Sequence, residues 1–138
     1  RYLLYSPDPG RDDLRRRLPQ MPQIEFRYPQ RQRKGIGKAW WRTFDIRHEL
    51  PAEVSLFHGL AAELPFGLRK SGVRSVVTIH DLIFLRFPSY YKWIDRKIYT
   101  YKYKKACREA DRVIAISEAT KRDIVKFFGI APEKIDVV

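Results

Sequence analysis

The sequence predicts an α/β fold, a Rossmann-like parallel sheet flanked by helices. Three observations carry that prediction. Short apolar, β-branched runs recur at residues 54–57, 73–79, 113–116 and 135–138, and runs apolar on both faces suit buried parallel strands. Two segments of helical character, 90–110 and 118–128, separate the later runs, and alternating strands and helices argue for a parallel sheet covered by helices. Three of the runs reach polar residues at once: His58 after the first, His80 and Asp81 after the second, Ser117 and Glu118 after the third.

Taken in order, residues 2–5 form a short apolar run ended by Ser6-Pro7-Asp8-Pro9-Gly10, a strand followed by a turn. Residues 12–18 could start a short helix, which Pro19 and Pro22 would stop. Ile24-Glu25-Phe26 alternates apolar and polar residues and reads as a second short strand. The basic, glycine-containing stretch 30–37 reads as a loop. Its Gly35-Ile36-Gly37 lacks the third glycine and the preceding strand of a dinucleotide fingerprint. Residues 38–50 read as a helix with Trp40, Trp41 and Phe44 near one face, ended by Pro51. The four apolar runs and two helical segments then complete the sheet and its cover. In an open α/β sheet, ligands sit outside the carboxyl ends of the strands. His58, His80, Asp81, Ser117 and Glu118 should therefore cluster along one edge.

The bulk properties bound the function. A chain of 138 residues holds one domain and is too short for two full ones. The 44% hydrophobic content supports a real core. No apolar run approaches the ~20 residues of a membrane span, and the opening residues show no secretory signal pattern. The single cysteine, Cys107, excludes an internal disulfide and fits a reducing compartment. No cysteine or histidine spacing suits zinc, no carboxylate pair resembles a metal site, and no Walker motif is present. A net charge of +12 makes an anionic partner plausible, whether nucleic acid, an acidic membrane surface or a phosphate-bearing substrate. The plainer account is that basic residues solvate helix faces.

The run Ser75-Val76-Val77-Thr78-Ile79-His80-Asp81-Leu82-Ile83, then Phe87-Pro88, then Ala110-Asp111-Arg112-Val113-Ile114-Ala115-Ile116-Ser117-Glu118, closely resembles glycosyltransferase family 4, which has the two-domain GT-B fold. The stretch from Phe128-Gly129-Ile130-Ala131-Pro132 to Val137-Val138 resembles the family's approach to its second domain. His58-Gly59-Leu60-Ala61-Ala62-Glu63-Leu64-Pro65 resembles its strand-end histidine and acidic-apolar-proline turn. The likeness is strong over residues 54–138 and weaker before. The family's opening strand, glycine-rich loop and helix have no counterpart here, and neither do its basic pair and glutamate-rich motif for the donor diphosphate. The expectation is a single, partial acceptor-side domain over residues 1–138, inactive alone. A strand missing from the middle of the sheet would leave an edge that invites self-association.

The resemblance implies a bacterial enzyme that transfers a sugar, commonly mannosyl, from a nucleotide-sugar donor to a hydroxyl of a glycan or lipid-linked acceptor. It implies retention at the anomeric carbon, a role in polysaccharide biosynthesis, and no cofactor or metal. The expected location is cytoplasmic, which the lone cysteine fits, or peripheral at the inner membrane surface, which the lysines of 90–110 would suit. His80 is the catalytic candidate, because by resemblance the strand-end histidine reaches the transferred sugar, and a neutral imidazole both donates and accepts. Asp81 either holds His80 in one tautomer, meets an acceptor hydroxyl, or caps its own turn. His58 either lines the cleft or packs, and Gly59 allows a tight turn or a close backbone approach. Ser117 either N-caps the following helix or meets an anionic group at its N-terminus. Glu118 suits the first turn of that helix, where the dipole favours a carboxylate.

The segment 90–110 interleaves Lys92, Arg96, Lys97, Lys102, Lys104, Lys105 and Arg108 with Tyr91, Trp93, Tyr99, Tyr101 and Tyr103. The apolar residues partly follow helical spacing, with Tyr91, Ile94, Ile98 and Tyr101 on one face and Tyr99, Tyr103, Ala106 and Ala110 on another, and a broad apolar face docked on the sheet explains most of them. The leftover lysines suit an anionic membrane. The rivals to the transferase reading are a nucleic-acid-binding module, for which no recognised motif is present, and a Rossmann-like interaction domain without chemistry.

Overall fold

The computed structural model describes residues 1–10, 21–31 and 34–138. The helix predicted over 12–18 lies outside the described residues. The described chain forms two compact units, Arg1–Glu49 and Leu50–Val138.

In the first unit, β1 (Tyr2–Tyr5) and β2 (Ile24–Arg27) pair in parallel, with Tyr2 opposite Ile24 and Tyr5 opposite Arg27. Gly35, at φ 52° and ψ −124°, turns the chain into α1 (Ile36–Trp40), a backbone conformation closed to residues with a Cβ. The predicted helix over 38–50 is present but changes its winding twice. It widens to a π-type turn over Trp41–Asp45 and tightens to a 3₁₀ turn over Ile46–His48. Trp41 explains the anchoring of this stretch. It is 1% exposed, its indole nitrogen donates to Glu49 Oε1 at 3.1 Å, and its ring lies 6.3 Å from Tyr5. The Tyr5 hydroxyl donates to the Glu49 carbonyl at 3.2 Å.

The second unit is the predicted parallel sheet. Its strands are β3 (Leu56–Gly59), β4 (Arg74–Ile79), β5 (Arg112–Ala115) and β6 (Ile135–Val137), hydrogen-bonded in the order β3-β4-β5-β6 with every pairing parallel. Between β4 and β5 run the short α2 (Ile83–Arg86) and the long α3 (Trp93–Glu109). α4 (Glu118–Asp123) follows β5, widens into a π-type turn over Ile124–Phe128, and ends at Gly129 with φ 67°. A glycine there is the usual left-handed helix terminator.

β3 begins two residues later than the apolar run at 54–57 suggests. The Val54 N–H is taken by the Pro51 carbonyl at 3.0 Å, in a turn that delays the ladder. His58 and Gly59 are therefore the last residues of β3 itself.

The core is one cluster built from alternating strand residues and two helices. Val77 and Ile79 of β4, Val113 and Ala115 of β5 and Ile135 of β6 meet Ala106 and Cys107 of α3, with Ile124 and Phe128 following α4. The Cys107 thiol is fully buried, and desolvation pushes its pKa up to about 12, so it packs as a small neutral hydrophobe. At the amino edge, Asp111 Oδ2 accepts from the Ser75 N–H at 2.7 Å and the Ser75 carbonyl accepts from the Asp111 N–H at 2.9 Å. This two-way clasp sets the register of β4 against β5.

Candidate functional site

Parallel strands in one sheet bring their carboxyl ends to one edge, and here that edge collects the predicted residues. β4 ends at Ile79, so His80 and Asp81 lie just beyond it; β5 ends at Ala115, one residue before Ile116 and two before Ser117. His58 and Gly59 close β3 beside Val76 and Val77.

His80 is exposed, yet its ring is steered. Nε2 sits 2.9 Å from the Leu60 carbonyl oxygen. A carbonyl only accepts, so Nε2 carries the proton. In the tautomer with that proton on Nε2 alone, Nδ1 is the ring's acceptor for a ligand hydroxyl. The His80 main chain is also tied down, because its carbonyl accepts from Thr120 Oγ1 at 3.1 Å. The same Thr120 gives its N–H to Ser117 Oγ at 3.1 Å, which makes Ser117 the N-cap of α4. His80, Thr120 and Ser117 thus form one hydrogen-bonded chain across β4 and α4. Glu118 stands exposed in the first turn of α4, where the helix dipole favours a carboxylate.

His58 belongs to a neighbouring contact. Its Nε2 lies 2.8 Å from Thr78 Oγ1, joining β3 to β4 beneath the edge. Gly59 serves a close approach: a Cβ there would fall 2.1 Å from the Glu63 carbonyl oxygen. The turn over residues 60–64 folds back so tightly that Ala62 takes φ 57° while 2% exposed, with its N–H bonded to the Thr78 carbonyl at 3.1 Å. A left-handed alanine costs about 1–2 kcal/mol. That strained turn presents the Leu60 carbonyl to His80.

Asp81 caps its own turn, with Oδ1 accepting from the Ile83 N–H at 3.2 Å. Its charge and that of Glu63 also reach Tyr103. Burial first, and those carboxylates second, raise the Tyr103 phenol above its ordinary value, which keeps it a neutral donor. Glu63 is itself paired with Lys102 at 2.9 Å. Arg86 closes the arrangement by donating to Asp123 at 2.6 Å.

Thr78, Thr120 and the Leu60 carbonyl are the participants that the sequence reading did not single out as site residues. The capping spacing from Ser117 to Thr120 was a usable signal. A backbone carbonyl leaves none. Among the described residues, no group of three or more His, Cys, Asp or Glu could hold a metal ion. No helix among them is long and apolar enough to cross a membrane.

The sequence model of the family described as Glycosyltransferase Family 4 matches residues 2–138. A search of curated proteins returned no match.

Proposed function

The chain belongs to Glycosyltransferase Family 4, and on that footing we propose that it is the acceptor-side part of a retaining glycosyltransferase. In this reading a hexosyl group, mannosyl being the commonest choice, passes from a nucleotide-diphosphate donor to a hydroxyl of a glycan or lipid-linked acceptor. The observation that carries the proposal is His80. It is an exposed imidazole at the carboxyl edge of a parallel sheet, steered through Nε2 by the Leu60 carbonyl. Nδ1 accepts from a hydroxyl of the transferred sugar, and the ring positions that sugar for displacement. Stabilisation of charge on the departing diphosphate falls to a second domain. The exposed Glu118 and the Ser117-capped end of α4 face acceptor polar groups. Asp81, His58 and Gly59 hold the edge in shape.

The test compares nucleotide-sugar binding and turnover by this chain and by a form that also carries a second domain, each with and without His80→Ala. The longer form should turn over a donor, the 138-residue chain should not, and His80→Ala should cut turnover roughly a hundredfold. Undiminished turnover in the variant would remove His80 from the reaction.

A further inference from the structure

The side of α3 that faces away from the core is not an ordinary solvated surface. The inward side carries Ala106 and Cys107, 3% and 0% exposed. At 3.6 residues per turn, the opposite arc gathers Trp93, Ile94, Ile98 and Tyr101, which are 65%, 59%, 49% and 61% exposed. The same arc gathers Lys97, Lys104, Lys105 and Arg108. It holds no carboxylate: Asp95 falls outside it, and Glu109 lies at its border, taken by Lys105. Lys97, Lys104 and Arg108 make no ion pair among the described residues. Lys97 sits over a ring instead, 5.6 Å from the Trp93 centroid, and Lys105, besides its pair with Glu109, lies 4.6 Å from the centroid of Phe66. The turn before α3 also exposes Phe87 and Tyr90, at 51% and 79%.

We propose that this outward face of α3 docks on an anionic phospholipid bilayer. Aromatic rings suit the headgroup level, isoleucines suit the acyl boundary, and lysine or arginine ends reach lipid phosphates. Each residue class of the arc has a place there. A second copy of the chain is a poorer occupant, because it brings the same +12 charge. A nucleic-acid backbone would satisfy the cations and leave Ile94 and Ile98 idle. The Trp93 end of α3 follows β4, so it lies toward the sheet edge that carries His80. Docking would bring that edge close to the lipid headgroups. The proposal stands independently of the glycosyl-transfer reading.

Sedimentation of the chain with phosphatidylcholine vesicles, with and without phosphatidylglycerol, tests it. Tryptophan emission is recorded alongside. Binding should require phosphatidylglycerol and weaken as salt rises. Lys97→Gln and Lys104→Gln should each lower affinity about fivefold. Trp93→Ser should abolish the blue shift on binding, with an unchanged circular dichroism spectrum showing that the fold is intact. Equal binding to both vesicles, or binding indifferent to these substitutions, would overturn the proposal. So would displacement of vesicles by single-stranded polyuridylate at equal charge, or a dimer that Trp93→Ser dissolves.

Discussion

Gly59 has an ordinary extended backbone, so its reason to be glycine is space alone. The Glu63 carbonyl lies where a Cβ would project, at 2.1 Å, and a carbonyl in a strained turn has nowhere to retreat. Gly59→Ala should destabilise the second unit by about 3 kcal/mol, read from urea unfolding. It should also displace the Leu60 carbonyl from His80. Histidines, acids and a serine just past apolar runs stand out by position. The Leu60 carbonyl that orients His80, and the left-handed Ala62 beneath it, come from a five-residue fold-back with no compositional mark. Asp81 offered three roles in sequence, and its bond to the Ile83 N–H has the geometry of the turn cap.

The elements were legible where their burial was simple. The four apolar runs became four parallel strands, with the central β4 and β5 the better buried and the outer β3 and β6 leaving Leu56 and Val137 exposed. Helices were legible in extent but not in winding. Residues 118–128 begin as an α-helix and widen at Ile124, and 36–48 pass through three windings, since periodicity over so few turns cannot separate these forms. α2 was not foreseen, being a single turn. It is fastened by an ion pair, Arg86 to Asp123 at 2.6 Å, whose carboxylate end is 10% exposed and whose cation is 44% exposed. Arg86→Met would leave that carboxylate nearly buried and unmatched. Thermal or urea unfolding should show a loss of stability, and Asp123→Asn made on top of it should recover part of that loss.

At the scale of the whole molecule, charge is the property that composition states most plainly. A surplus of twelve positive charges on 138 residues repels itself, and the compact state suffers more than the open one. Moderate salt should therefore raise the melting temperature by about 2–5 °C over low salt, followed by circular dichroism. A flat response would mean that the cations are locally compensated. The magnitude of this charge is legible in the sequence, and its distribution is not. The arc of α3 where cations sit on rings needed coordinates, because helical periodicity assigns faces without saying which one a sheet covers.

The clasp between Ser75 and Asp111 has a consequence in time. Its two residues are 36 apart in the chain, and everything between them, α3 included, is made before they can meet. β4 emerges early as a bare apolar strand, and its partner on one side arrives only after that long excursion. Closing a loop of this length demands entropy that no local contact returns. The docking of β5 is therefore the longest closure in this four-stranded sheet. Until it happens, β4 is the segment most in need of shelter during synthesis.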